Sequence, residues 1–347
     1  MNNFALIDKL AQNHSLSTHE YLTLLTTICD EEIAYLAKCA RDVAQRIYGN
    51  KIFIRGLIEI SNICKNDCYY CGIRKSNKNC ERYRLSEDEI LSCCDEGYAL
   101  GFRTFVMQGG EDGYFTDERL CRILEKIKSK YSDCAVTLSL GERSLESYRK
   151  LKSAGADRYL LRHETATKEH YEKLHPRELS FENRMECLKN LRKCGYRVGC
   201  GFMVGSPYQT TEMLVNDLKF IEHFKPDMCG IGPFIPHKDT DFCTHTAGSV
   251  DLTCILLSLI RLIHPPILLP ATTALATLSE NGREKGILSG ANVVMPNLSP
   301  MNVRSKYLLY DNKIAVGTES AQQKEMLEKS LRRIGYTVVT DIGDINK

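Results

Sequence analysis

The chain has 347 residues, 43% of them hydrophobic and 26% charged, with a formal net charge of +2. That composition can bury a large core and excludes a disordered chain. The near-neutral balance, without a basic arm or a long charge run, argues against nucleic acid or a membrane surface as the main partner.

Residues 1–48 read as helices. Ser17 suits an N-cap for a segment through Leu25, and Asp30 suits one for 31–48, with Gly49-Asn50 closing that part. Short apolar runs then alternate with amphipathic segments. The runs are 52–60, 104–108, 135–140, 158–162, 198–204, 228–234, 267–271 and 292–295. Helical patterns begin near Ser86, Thr116, Ser144, Ser180, Thr210, Ser249 and Gly282. Most open on Ser or Thr, and Ser86 with Glu89 fits a capping box. Eight strands separated by helices predict an α/β fold with a parallel sheet, most simply a (β/α)8 TIM-type barrel with an N-terminal helical extension. The expected division is 1–48 for the extension, 49–310 for the barrel and 311–347 for a C-terminal tail packed on it. A doubly wound open sheet is the alternative, but no GxGxxG follows the first strand. A barrel carries its chemistry at the C-terminal ends of its strands. The segments 108–112, 139–142, 162–165, 203–207, 232–237 and 271–273 therefore share one mouth with the loop after the first strand.

That loop reads Cys64-Lys-Asn-Asp-Cys68-Tyr-Tyr-Cys71, a CxxxCxxC. Three thiolates on a short loop can hold three corners of an iron–sulfur cube, leaving the fourth iron open to a small molecule. An open iron is what reductive cleavage of S-adenosylmethionine (SAM) requires. Two alternatives stand beside it. One is a zinc site with Cys80 as a distant fourth ligand. The other is three unrelated buried thiols. The chain has sixteen cysteines in all, none after Cys254. Disulfide scaffolds are short secreted chains. Here the first residues lack the apolar core of a signal peptide, and no run of 18 apolar residues spans a membrane. A reducing cytoplasm is the expected location, and so many thiols suit an anaerobic cell.

Gly109-Gly110-Glu111 after the second strand adds to the cysteines, and together they resemble the radical SAM superfamily. Longer stretches between Arg55 and Tyr310 resemble the HydE family of [FeFe]-hydrogenase maturases, in the biotin synthase-like group. They are Ile58-Glu-Ile-Ser-Asn62, where the family has Phe at the position of Ile60, Thr137-Leu-Ser-Leu-Gly-Glu142, Asp157-Arg-Tyr-Leu-Leu-Arg-His-Glu-Thr-Ala166 and Ser180-Phe-Glu-Asn-Arg184. Further on come Gly230-Ile-Gly-Pro-Phe-Ile-Pro-His237, Pro270-Ala-Thr-Thr273 and Gly290-Ala-Asn-Val-Val-Met-Pro296.

The resemblance implies a radical SAM enzyme with a [4Fe–4S] cluster on Cys64, Cys68 and Cys71. It implies SAM held by Tyr70, Gly109, Gly110, Glu111, Glu164 and Arg184, with Gln108, Ser139, Met203 and Tyr307 as further wall residues. Arg184 would face the methionine carboxylate, since a guanidinium pairs with a carboxylate in bidentate fashion; blind to the family, a helix-surface salt bridge is the commoner fate of an Arg. Arg55, Thr137, Arg162, Thr272 and Thr273 would line the interior around a small anionic substrate. The alternative for Arg55 and Arg162 is ion pairing with Glu59 or Glu164. His163 and His237 read as satisfied strand-end histidines. Partners implied are an electron donor of ferredoxin or flavodoxin type and other hydrogenase maturases. The expected function is assembly of the hydrogenase diiron cofactor from a cysteine-derived iron precursor. Another biotin synthase-like enzyme, such as a methylornithine synthase, and a non-catalytic iron–sulfur or zinc protein are the rivals. Some HydE proteins hold a second cluster near the C-terminus, but residues 314–323 contain no cysteine here. Biotin synthase has Tyr-Asn-His-Asn after the fourth strand where this chain has Arg162-His-Glu-Thr165, and Cys134 and Cys200 do not make a full ligand set for its extra cluster.

Overall fold

A computed structural model describes residues 2–314 and 320–345. Three helices come first: α1 (Asn3–Asn13), α2 (Thr18–Thr27) and α3 (Asp30–Tyr48). Ser17 caps α2 in a full capping box with Glu20. The cap of α3 falls one residue earlier than expected, on Cys29, because Glu32 reaches back to its backbone N–H at 2.9 Å. α2 packs on α9 (Thr211–Phe224), and α1 and α3 pack on α10 (Val250–Ile263), so the extension lies over outer helices of the barrel.

The strands follow the expected order. β1 (Lys51–Ile54), β2 (Gly56–Ser61), β3 (Thr104–Gly109), β4 (Ala135–Ser139), β5 (Arg158–Leu160), β6 (Arg197–Cys200) and β8 (Met228–Cys229) are joined by parallel pairings from β2 through β8. Among the described residues the seventh segment makes only isolated bridges, Met228↔Leu268 and Pro270↔Val293, because Pro270 has no N–H to donate to a ladder. Closure comes from β10 (Val293–Val294) against β1 and from the bridge Leu57↔Asn297. The result is a parallel α/β barrel of TIM type. Between strands lie α4 (Glu87–Ala99), α5 (Asp117–Lys130), α6 (Leu145–Ser153), α8 (Phe181–Lys193), α9, α10 and α12 (Gly282–Leu288). Ser86, Thr116, Ser144, Ser180, Thr210 and Ser249 each accept from a backbone N–H of the first turn. Short α7 (Lys168–Leu174) has no side-chain cap, which is why no start signal announces it.

Above Gly201 and Gly230 the fifth and sixth strands swing away as β7 (Met203–Val204) and β9 (Gly232–Pro233), paired only with each other. A Cβ on Gly201 would lie 2.0 Å from Gly230 O, so only glycine permits this crossing. The break widens the mouth above it.

The tail is built into the opposite end. β11 (Thr337–Val339) pairs parallel with β1, and 342–344 run beneath the strand starts. Arg158, 1% exposed, donates to Thr104 Oγ1 at 3.0 Å, Ile342 O at 2.8 Å, Gly343 O at 3.2 Å and Asp344 Oδ1 at 3.0 Å. Arg158→Met would strand two carbonyls and a carboxylate. Breaking such a buried network costs about 3–5 kcal/mol, and anaerobic urea unfolding is expected to show a loss of that size. A loss no larger than the roughly 0.5 kcal/mol of a surface change would mean the tail is not anchored there.

Candidate active site

The loop from Asn62 to Arg84 leaves the top of β2 with little regular structure, so its backbone groups need partners from side chains. Asn62 Nδ2 donates to Glu81 O at 2.8 Å and Lys306 O at 2.7 Å, and Asn62 Oδ1 accepts from Tyr83 N–H at 2.8 Å. Arg82 spends its guanidinium on four carbonyls, those of Asn62, Ile73, Arg74 and Asn77. The backbone N–H of Tyr69 donates to Leu174 O, and that of Gly72 to Leu309 O. So fixed, the loop turns Cys64, Cys68 and Cys71 onto one chamber.

The chamber holds about 340 Å³ at the C-terminal ends of the strands. Its wall includes the three cysteines and Tyr70, then Gln108, Gly109, Gly110 and Glu111 from the second strand and Ser139 from the third. Arg162 and Glu164 follow the fourth strand, Arg184 comes from α8, and Met203, Thr272, Thr273 and Tyr307 complete the set. Gly110 is packed against the cluster loop, where a Cβ would lie 2.3 Å from Ile63 O and 2.7 Å from Cys64 Cβ. The next N–H, that of Glu111, points at Cys64 Sγ at 3.4 Å.

Arg184 is 7% exposed. It does form a salt bridge, but inside the wall and not on the helix surface: Nε donates to Glu142 Oε1 at 2.5 Å and one NH to Arg162 O at 2.6 Å. The guanidinium also sits 5.8 Å from the centre of the Tyr171 ring. His175 stacks on that ring, 3.9 Å between centroids. Burial, with Arg184 nearby, pulls the His175 pKa down to about 3, so the ring is neutral. Its Nδ1 lies 2.9 Å from Tyr171 O and must carry the proton, which leaves Nε2 to accept from Tyr70 OH at 3.2 Å. Tyr70 is thereby locked through its side chain.

Arg162 and Glu164 form an ion pair at 3.2 Å, the alternative pairing considered from sequence, with both residues on the chamber wall. Several buried polar atoms nearby lack any hydrogen bond: Arg162 Nε, Glu164 Oε2 and Thr272 Oγ1. His163 and His237 are both satisfied, through Asp217 and Gly201 for the first and the Asp239 N–H for the second.

Two expected chamber residues lie elsewhere. Arg55 belongs to the floor, where its guanidinium contacts Met228 Sδ at 2.8 Å and Gly343 O at 3.5 Å. It precedes Glu59 by four residues, roughly 13 Å along a strand, so it cannot reach the mouth. Burial and the charge of Arg158 push its pKa well down. Thr137 is buried inside β4 with its hydroxyl unpaired, but it is not on the chamber wall. Other wall groups pair in ways that the sequence did not announce. Glu59, fully buried, pairs with Lys313 Nζ at 2.5 Å and accepts from Asn297 Nδ2 at 2.9 Å. Lys313 comes from the tail; behind the wall, Glu142 holds Arg184 and His175 accepts from Tyr70 OH.

The residues fit a [4Fe–4S] cluster with SAM on its open iron. Burial raises all three thiols, Cys71 to about 12, and their neighbours' charges add to it. Such a set is stable as thiolates only with a metal cation among them. Arg162 Nε and Thr272 Oγ1, buried and without hydrogen bonds, suit a polar ligand. Among the described residues no three His, Cys, Asp or Glu side chains converge closely enough for a single metal ion. Cys80, the distant fourth ligand of the zinc alternative, lies against Asn62 Nδ2 and off the chamber wall. Cys200 is fully buried opposite Cys229 in the ladder and likewise off that wall. Within 314–323, the segment compared with the second-cluster region, residues 315–319 fall outside the described residues.

Residues 58–221 match the family model for the radical SAM superfamily. The chain is 46% identical over 281 residues to the [FeFe] hydrogenase maturase subunit HydE of Thermotoga maritima, an alignment covering 81% of this chain and 80% of that protein. It is 28% identical to 3-methylornithine synthase of Methanosarcina acetivorans, over 83% and 81% of the two chains. The crystal structure of methylornithine synthase superposes with a TM-score of 0.84 at 25% identity, covering 96% of this chain and 97% of that one. The maturase HydG shares the fold, with a TM-score of 0.81 at 21% identity, over 97% of this chain and 75% of that one. With its cysteine loop, its barrel mouth and a relative at this identity over four-fifths of its length, the chain belongs to the HydE family of radical SAM enzymes, which work with a [4Fe–4S] cluster and SAM.

Proposed function

We propose that this enzyme acts in assembly of the [FeFe]-hydrogenase diiron cofactor, on a small, anionic, cysteine-derived iron precursor held in the barrel mouth. The observation that carries the reading is the 46% identity to a HydE maturase over most of both chains. A [4Fe–4S] cluster bound there would supply the electron for reductive cleavage of SAM at its C5′–S bond.

Cys64, Cys68 and Cys71 hold the cluster. Gly109 and Gly110 would offer their backbone to the methionine amino group, Arg184 would take the carboxylate and Glu164 a ribose hydroxyl, with Tyr70 beside the adenine. Gln108, Ser139, Met203 and Tyr307 shape the wall, and Glu111 fixes the loop through Lys65 at 3.0 Å and the Glu142 N–H at 2.9 Å. Arg162, Thr272 and Thr273 meet the substrate, and the buried Arg162 Nε and Thr272 Oγ1, without hydrogen bonds, fit an anion. A sequestered chamber suits radical chemistry, because a reactive intermediate attacks whatever it first meets. Residues 1–48, 49–310 and 311–347 serve as extension, barrel and tail. Among the described residues no helix is long and apolar enough to cross a membrane. We place the enzyme in the cytoplasm, reduced by a ferredoxin or flavodoxin type of donor and working with other hydrogenase maturases.

The second reading is methylornithine synthase, favoured by the structural match. Cell-free maturation separates the two. This chain, replacing HydE in an otherwise complete mixture, is expected to yield active hydrogenase and no methylornithine from lysine. Methylornithine formation without hydrogenase activation would overturn the assignment.

A further inference from the structure

We propose that Asp217 and His163 form a buried clamp that sets the turn from which Glu164 enters the chamber, so that Asp217 is a positioning residue for the cofactor site. The proposal rests on the reading of Glu164 as a SAM contact.

Glu164 has φ +66°. A side chain other than glycine is strained in this left-handed region and stays there only where its surroundings hold it. No glycine relieves the turn, yet its residues are fully or nearly buried. On one side the Glu164 N–H donates to Gly201 O at 3.0 Å, which ties the fourth strand to the fifth. On the other side stands Asp217, on α9. Its Oδ1 accepts from the Ala166 N–H at 2.6 Å and lies 3.2 Å from His163 Nε2. His163 Nδ1 accepts from the Gly201 N–H at 3.3 Å. With Nδ1 an acceptor, the ring proton of the neutral imidazole is on Nε2 and is donated to Asp217. The residues on either side of Glu164, at 163 and 166, are thus pinned to one carboxylate oxygen.

The inner face of α9 is otherwise apolar, with Leu214, Val215, Leu218 and Ile221 buried. Asp217 is fully buried among them, and its Oδ2 has no hydrogen-bond partner. Packing alone would be served better by a leucine there, since a buried carboxylate is expensive. What the carboxylate does is hold two donors flanking Glu164.

The test uses the anaerobically reconstituted protein, with SAM affinity by calorimetry and the cluster followed by iron content. Asp217→Ala is expected to weaken SAM binding about tenfold, the size of one charge-assisted hydrogen bond, with full iron. Asp217→Asn keeps an oxygen for both donors and is expected to restore the affinity. Unchanged affinity in Asp217→Ala, alongside a weakened Glu164→Gln, would overturn the clamp. Unchanged affinity in Glu164→Gln would instead remove Glu164 from the SAM site, and a melting comparison then judges the clamp alone. Glu164→Gly relieves the strained turn and is expected to raise Tm in the parent but not in Asp217→Ala, where the turn is already released. An equal rise in both backgrounds would overturn the clamp.

Discussion

Cys71→Ala should leave protein that folds but retains no [4Fe–4S] cluster after anaerobic reconstitution and makes no measurable deoxyadenosine. The loop around it does not depend on the thiol, because Arg82, Asn62 and the Gly72 N–H anchor it from outside the chamber. Removing a group that only supports a ligand costs roughly 10–100-fold in metal affinity, and loss of one of three ligands to an already open cube should cost more. Cys64→Ala and Cys68→Ala are expected to match it. Cys80→Ser is the control: Cys80 is not on the chamber wall, so iron content and SAM cleavage should be unchanged. Iron and activity retained in Cys71→Ala, or lost in Cys80→Ser, would assign the ligands differently.

Arg162→Met is the second large effect, and it separates substrate from cofactor. Arg162 carries a buried Nε without a hydrogen bond and pairs with Glu164 at 3.2 Å. A hydrogen bond to a charged group contributes about 1.5–3 kcal/mol, so product formation is expected to fall at least tenfold, since about 1.4 kcal/mol is a factor of ten. Slow deoxyadenosine release without substrate should persist, because Arg184 keeps its own partner in Glu142. Loss of both in equal measure would show that Arg162 acts on SAM through Glu164. Unchanged product formation would take it out of the substrate site.

How much of this could be read from the chain depended on distance along it. The barrel was legible because each strand–helix junction carries a local mark: Ser or Thr at 86, 116, 144, 180, 210 and 249 caps the helix that the apolar periodicity predicts. The cluster loop was legible from spacing alone, and Gly110 from its place after the second strand. The floor was not. Arg158 meets Asp344 across 186 positions, and Glu59 meets Lys313 across 254. Neither pairing has a periodicity or a motif to betray it. The misplaced Arg55 is a different case. It was expected in the lining around the substrate, but counting residues along the strand from Glu59 puts it below the mouth. Glu164 was assigned from family resemblance, while the device that aims it, Asp217, lies inside an apolar helix face and looks there like a stray polar residue.

The most direct measurement is anaerobic incubation of the reconstituted protein with SAM, a one-electron reductant and a cysteine-bound iron complex as candidate substrate, followed by mass spectrometry of every deoxyadenosine-derived product. Substrate-dependent consumption of SAM, with the iron complex converted in step, is the expected result. Deoxyadenosine formed at the same slow rate with and without the iron complex, but accelerated by lysine with methylornithine as product, would contradict it.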